Sequence, residues 1–409
     1  MRGYDYAANN CRGPKEVGLQ IDFNSSPSSS VGIEMELEVV DRETRELRSG
    51  ATEILGEMGA MHPGGEHPKA KHELLESTIE IITGVCQTVP EARDDLAGTL
   101  AEVTAMTAPR GMELMCSGTH PFSDWAKQDI SPNPRYAQLV EDMQWLARRL
   151  QIFGIHVHVG VRSPDKVIPI VNALTTYVPH FLGLSASSPY WVGTDTGLAS
   201  CRSKVFEGLP TAGLPYQLSG WNEFETYMET LICSNTIHTI REIWWDIRPH
   251  PNFGTVELRI CDGLPTLREV ATMAALSQCL VTRLDTLLDR GYTLPMPKGW
   301  ILRENKWRAA RYGVDAEIIL DEKGTLQPVR DAVRELVHEL EPVADNLGCT
   351  DELEYALTIM ERPSYLRQRQ TVANGGSLVD VVDMLVTELR TDQPSAIDIT
   401  RSSKPGVLA

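Results

Sequence analysis

Val31-Gly32-Ile33-Glu34-Met35-Glu36-Leu37-Glu38-Val39 alternates apolar and acidic residues almost without a break. Successive side chains of a strand point to opposite faces, so Val31, Ile33, Met35, Leu37 and Val39 share one face and Glu34, Glu36 and Glu38 the other. Same-face neighbours in a strand lie about 6.5–7 Å apart, and like charges held that close repel unless water or cations screen them. Taken alone, the segment fits the solvated outer face of an edge strand.

Other stretches repeat the design. Gly154-Ile155-His156-Val157-His158-Val159-Gly160 puts Ile155, Val157 and Val159 on an apolar face and both imidazoles opposite. Thr255-Val256-Glu257-Leu258-Arg259-Ile260-Cys261 aims Glu257 and Arg259 away from Val256, Leu258 and Ile260. Ile243-Trp244-Trp245-Asp246-Ile247-Arg248 places Asp246 and Arg248 together, and near 77–83 Glu76, Thr78 and Glu80 share parity, with Glu73 just upstream. Combined, these strands describe a sheet with one apolar face and one face of Glu, His and Arg. Polyphosphate chemistry needs that set: carboxylates and imidazole for divalent cations, guanidinium for phosphates and developing charge. Many oxygen ligands favour Mg2+ or Mn2+ over a structural zinc.

Rival sites find little support. A cupin-type site would want Glu four residues past the second His, where Arg162 stands, and no HExxH, P-loop, GxGxxG before a helix or GxSxG elbow occurs. The 409 residues carry 56 Asp+Glu against 38 Lys+Arg, a formal charge of −18, and no Lys/Arg run exceeds two. Such a chain repels phosphate backbones, so no nucleic-acid partner is expected. No stretch is read as approaching a membrane span, and Met1 to Ser30 has no apolar core of a secretory signal. Cysteines 11, 86, 116, 201, 233, 261, 279 and 349 form no CxxC pair and read as reduced core thiols of a cytoplasmic protein.

The polar run Asn24 to Ser30 marks residues 1–30 as a flexible lead-in. A single catalytic domain is expected over 31–390 and a loose tail over 391–409. Between the first two strands a Gly-rich loop runs from Gly56 to Pro68. A helix follows, opened by Pro90-Glu91 and spaced on Leu96, Leu100, Val103 and Met106, then a third strand. Tyr136 to Leu150 is helical by spacing, and a strand follows at 153–160. Residues 185–220 lack periodicity and read as a covering loop with flexible Gly193, Gly197, Gly208 and Gly213. Strands near 243–248 and 255–261 precede helices at 266–290, 300–312, 327–346, 350–361 and 377–390. The fold class is therefore α+β: an antiparallel sheet cradling the site, with helices packed on its other face.

Several motifs together resemble one family. Gly32-Ile33-Glu34-Met35-Glu36, His72-Glu73-Leu74-Leu75-Glu76-Ser77-Thr78-Ile79-Glu80-Ile81 and Ser117-Gly118-Thr119-His120-Pro121-Phe122 are similar to the type 2 glutamate–cysteine ligases, also called carboxylate–amine ligases. So are Ile155 to Gly160, Leu184 to Trp191, Gly193 to Ser203, Trp244 to Pro249, Gly254 to Arg259 and Glu304 to Gly313, in unbroken order over roughly 31 to 390. The resemblance implies a glutamine-synthetase-like fold, ATP and Mg2+ (or Mn2+). It implies that Glu34, His156 and Glu257 hold one metal and Glu36, Glu73 and Glu80 another. His158 and Arg259 would touch substrate or phosphate, and Arg202 and Arg248 would steady the transferred phosphoryl group. Lys306, Arg308 and Arg311 lie on a helical stretch capped by Gly313, where a nucleotide contact and a solvated basic face are equally open readings. Glu38 and Glu76 share the parity but can equally be supporting or exposed. Trp191, Trp244 and Trp245 read as core or pocket walls.

The implied reaction has two steps. A substrate carboxylate attacks the γ-phosphate of ATP, and an amine then displaces phosphate from the acyl phosphate. Glutamate and cysteine are the simplest substrates; another carboxylate or amine, and a guanidino-kinase-like phosphotransfer, are the alternatives. A homo-oligomer, taken as a dimer, is implied by the resemblance alone.

Overall fold

The computed structural model describes residues 20–396. The first elements are β1 (Val31–Asp41), α1 (Ala51–Ala60), β2 (Ala70–His72), β3 (Thr78–Ile82), α2 (Val89–Thr107) and β4 (Met112–Met115). Next come α3 (Pro134–Met143), α4 (Trp145–Arg148), β5 (Ile155–Gly160), α5 (Pro164–Leu174), α6 (Val178–Ser185), β6 (Tyr190–Trp191) and β7 (Thr194–Asp195). After α7 (Arg202–Phe206) and α8 (Trp221–Cys233) the chain returns through β8 (Ile247–His250) and β9 (Thr255–Leu258). The last part holds α9 (Leu267–Asp289), α10 (Gly299–Tyr312), β10 (Glu317–Ile319), β11 (Leu326–Pro328), α11 (Val329–Leu347), α12 (Thr350–Glu361), α13 (Ser364–Ala373) and α14 (Leu378–Thr391).

The expected α+β architecture is what the chain forms. Seven antiparallel strands run in the order β2-β3-β1-β5-β9-β8, with β4 also paired to β1. The apolar set of β1 is sealed, each of Val31, Ile33, Met35, Leu37 and Val39 being at most 1% exposed. Ile79, Ile81, Ile155, Val157, Val159, Val256 and Leu258 continue that buried face, and α2, α5 and α9 pack against the sheet. α2 begins as its sequence demands: Thr88 caps it and accepts a hydrogen bond from the Glu91 N–H, with Pro90 in the first turn.

Several expectations need correction. α1 takes up the start of the stretch read as a Gly-rich loop. The helix read over 136–150 breaks at Gln144, whose φ is +47°, into α3 and α4. Part of 185–220 is a wall and not a loose cover: Ser185, Ala186, Ser187, Ser188, Ala199 and Ser200 are completely buried, while 193–195 and 216–217 are exposed. α5, α6, α8 and α13 were not expected. Pro164–Ser185 is 22 residues at hydropathy 1.4, long and apolar enough to cross a membrane by length and composition, against the reading that nothing approached this. Its best window is 83% buried inside the protein, which accounts for a helix apolar all round.

Residues 1–19 of the lead-in and 397–409 of the tail lie outside the described residues. From residue 20 onward the lead-in is held: Asn24 N–H donates to Pro251, Ser26 N–H to Val161 and Gly160 N–H to Ser30. Ile21 is buried and Phe23 meets Trp221 edge-on at 5.4 Å. The polar run packs because its backbone bonds are joined by side-chain ones, Asn24 donating to the Asn252 carbonyl and Ser28 to Gln87. At the other end Asp392 pairs with Arg93 and accepts from the Arg268 N–H. Cys86, Cys116, Cys201, Cys261, Cys279 and Cys349 are buried free thiols, whereas Cys233 is disulfide-bonded, a departure from the all-reduced reading.

Candidate functional site

Strand register builds the site. Opposite the buried face, Glu36 stands against Glu80 across β1 and β3, and Glu34 against His156 across β1 and β5. His158 faces Glu257 across β5 and β9, and Glu257 faces Arg248 across β9 and β8. Directly opposed residues have Cβ atoms about 4.5–5.5 Å apart, so each pair interacts. Glu34 is the shared vertex: its two oxygens lie 2.9 Å from His156 Nδ1 and 3.2 Å from His158 Nε2. Glu34, His158 and Glu257 each present a ligand atom within 4.8 Å of the others, and so do Glu34, Glu80 and His156. The sequence reading grouped His156 with Glu257; the geometry puts His158 there.

The electrostatics divide the carboxylates into two sets. Burial pulls Glu34 upward, but His158 and His156 outweigh it and hold its pKa well below the usual range. Glu257 is likewise depressed, because Arg248 and Arg259 overcome its burial. By contrast, burial followed by Glu73 pushes Glu36 up to about 8. Burial, then Glu34, Glu73 and Glu36, raises Glu80 well above its ordinary value, and burial raises Glu73. Burial and Arg259 bring His156 down to about 4, which leaves a neutral imidazole able to ligate at neutral pH. Carboxylates crowded this way ionise only against positive charge, and an oxygen-rich set with imidazole suits Mg2+ or Mn2+.

The arginines are less alike than their sequence contexts imply. Arg248 grips Glu257 with two nitrogens at 2.7 and 3.2 Å and donates to the Ile243 carbonyl, so it positions Glu257 instead of presenting itself to a ligand. Arg259 also bonds Glu257 and reaches His156, yet its Nε has no partner. Arg202, 3% exposed, makes only long bonds to the Arg259 and Ile260 carbonyls and also has a free Nε. Lys306 is enclosed between Asp246 and Glu207, off the solvated face that the sequence allowed, and the half-buried Arg311 bonds the Gly197 carbonyl.

The structure separates Glu38 from Glu76, which the sequence left open together, and adds Thr255 and Asp262, which it did not single out. Glu38 is fully buried, not solvated; Ser117 donates to one of its oxygens from both N–H and hydroxyl, and burial pushes its pKa up to about 8. Glu76 bonds the Thr52 hydroxyl, away from the cluster. Thr255 pairs with His158 Nδ1 at 3.0 Å. Asp262, just past β9, accepts from the Ser188 and Ser200 hydroxyls and the Ser187 N–H, which joins the 185–200 wall to the sheet. The serine-rich stretches on both sides of Pro189 were the one available signal. Phe253 stacks on His250 at 4.1 Å beside His158, at the end of the site.

Comparison with known proteins gives one consistent result. Residues 30–382 match the model of glutamate-cysteine ligase family 2. A Frankia casuarinae protein provisionally named glutamate–cysteine ligase 2-1 is 61% identical over 378 residues, 92% of this chain and 99% of that one. A Thermobifida fusca protein provisionally named glutamate–cysteine ligase 2 is 53% identical over 378 residues, 92% of this chain and 95% of its own. Among solved structures, a glutamate–cysteine ligase from Francisella tularensis in complex with AMP superposes with a TM-score of 0.65 at 13% identity, covering 90% of each chain. A bifunctional glutathione synthetase from Pasteurella multocida gives 0.65 at 15% identity over 89% of this chain and 52% of its own. At those identities the two structures speak to the fold alone.

Proposed function

The chain belongs to glutamate–cysteine ligase family 2 and is a carboxylate–amine ligase, and on that premise we propose that it joins glutamate to cysteine through an acyl phosphate made from ATP. The observation that supports this most is the cross-strand cluster around Glu34, which sets carboxylates, imidazoles and arginines with unpartnered N–H groups on one sheet face.

In this reading a carboxylate oxygen of glutamate bonds to the γ-phosphorus of ATP and ADP leaves. The amine nitrogen of cysteine then bonds to the acyl carbon, phosphate leaves, and the amine gives up a proton. Glu34, Glu80, His156, His158 and Glu257 would hold divalent cations, with Glu36 and Glu73 beside them. A bound cation would neutralise phosphate charge. The free Nε donors of Arg202 and Arg259 offer hydrogen bonds to oxygens that gain charge during transfer. Arg248 keeps Glu257 in place, and Thr255 fixes the His158 ring. The buried 185–200 wall, tied down through Asp262, keeps water from competing with the amine.

The test is ADP and phosphate release from Mg-ATP with glutamate, with and without cysteine and a panel of other amines, using hydroxylamine as a trap. Glutamate-dependent hydroxamate and the strongest stimulation by cysteine are expected. Hydroxamate from a different carboxylate, or stimulation by another amine, would replace those substrates, and a stable phosphorylated product would shift the reading to phosphotransfer. A cytoplasmic location, a homodimer and a single catalytic unit over 31–390 belong to the same proposal, supported by the family resemblance.

A further inference from the structure

Lys306 lies on α10, outside the sheet, and is 2% exposed. Its ammonium sits 2.6 Å from both Asp246 Oδ2 and Glu207 Oε1. Each partner belongs to a segment that bears a site arginine. Glu207 directly follows α7, whose first residue is Arg202. Asp246 stands two residues before Arg248, and its carbonyl accepts the backbone N–H of Arg259 at 2.7 Å. We infer that Lys306 is a positioning residue that pins the Arg202, Arg248 and Arg259 segments into one frame.

The energetics of burial favour this reading over plain stabilisation. Buried ionic groups can often be replaced by apolar residues of similar volume at little cost, so a lysine kept between two acids earns its place through geometry. Lys204 also pairs with Glu207, at 2.8 Å, so two acids and two lysines balance in the frame. Arg202 is the further cation whose field reaches Asp246. The frame and the phosphoryl-facing guanidinium are thus coupled by charge as well as by chain. Arg202 needs such support, because its own hydrogen bonds to carbonyls are long, 3.3 to 3.4 Å. This rests on the proposed ligase reading only for what the arginines do.

Lys306→Met alone strands the buried Asp246 carboxylate and leaves the half-buried Glu207 to Lys204, so the decisive variant is Lys306→Met/Glu207→Gln/Asp246→Asn, which leaves no buried charge in the frame. Expected are an unchanged circular dichroism spectrum, a kcat about 100-fold lower and a KM for ATP within about threefold, since a displacement near 1 Å is felt mainly in the transition state. Labelling of Arg202 by phenylglyoxal, read by peptide mass spectrometry, should rise severalfold. If the triple variant does not fold, Lys306→Arg, which keeps the charge but loses the compact ammonium, takes its place, with a smaller loss of kcat in the same direction. Activity within threefold of the parent in a folded variant overturns the inference. A parent inactive with every carboxylate and amine overturns the ligase reading instead, and Arg202 labelling then decides the frame: a rise supports it and no change overturns it.

Discussion

Glu80 sits half-buried where Glu34, Glu73 and Glu36 all press on it, and its carboxyl is raised well above the ordinary value, burial first. Replacing it with Gln removes that repulsion while removing a ligand. Glu80→Gln should therefore melt higher than the parent without metal, yet lose any Mg2+-dependent rise and nearly all turnover; thermal melts with and without Mg2+ check this. His120 gives a second prediction. It is completely buried and accepts the Ser123 N–H at Nδ1 while Nε2 meets the Arg45 carbonyl, and burial lowers its pKa to about 3. Between about 6.5 and 3 the unfolded chain takes up a proton that the folded one refuses, so stability falls as pH falls through that window, by about 1.4 kcal/mol per unit for this group alone. His120→Asn, which keeps an acceptor for Ser123, should flatten the slope of urea stability against pH. An unchanged slope would show that His120 is not its source. At this scale the sequence was informative about residue type and parity: Glu34, Glu80, His156 and Glu257 do share one face. It was silent on partners, because whether Arg248 meets a ligand or Glu257, and whether Lys306 meets phosphate or Asp246, depends on elements distant in sequence.

Two glycines show how elements are fitted together. A Cβ on Gly154, at the entry to β5, would fall on the Arg202 guanidinium. Gly154→Ala should leave the fold intact, since a long side chain can give way, and lower kcat by about 10- to 100-fold through misplacement of Arg202. Steady-state kinetics would show it as a kcat effect, and a normal kcat would place Arg202 outside the reaction. Gly254, in the turn joining β8 and β9, has φ +66°, and a Cβ there would collide with the Asn24 carbonyl. Gly254→Ala should lower Tm and speed hydrogen exchange in residues 20–30. Period-two strands were legible because one face is apolar throughout. α6 was not, because a helix buried all round has no amphipathic stripe to read, and α5 carries Pro169 inside it, which reads as a break. The break at Gln144 lacks the usual Gly or Pro, and nothing in the Tyr136 to Leu150 spacing announces it.

For the whole molecule, the α+β architecture followed from the order of elements and the ligase family from the motifs, while the placement of 185–220 did not. That segment has no periodicity because its buried serines serve Asp262, not an apolar core. If the sheet face binds cations and nucleotide, Mg2+ should raise Tm and Mg-ATP should raise it further. Ligand at 100 times its Kd adds about 2.7 kcal/mol, and EDTA should reverse the metal part. A Tm indifferent to both would remove the cation assignment.

The backbone of residues 20–30 has a consequence for where this protein can be cut. The family match begins at residue 30, but the Ile21 carbonyl accepts the Trp221 indole N–H, the Ile21 N–H donates to Glu225, and the Ser29 carbonyl accepts from Gln278. A chain begun at Ser30 would keep every candidate site residue. It would also bare an aromatic seam beside α8 and leave a turn of the sheet without its clasp. The family match thus begins inside a segment that the fold already holds.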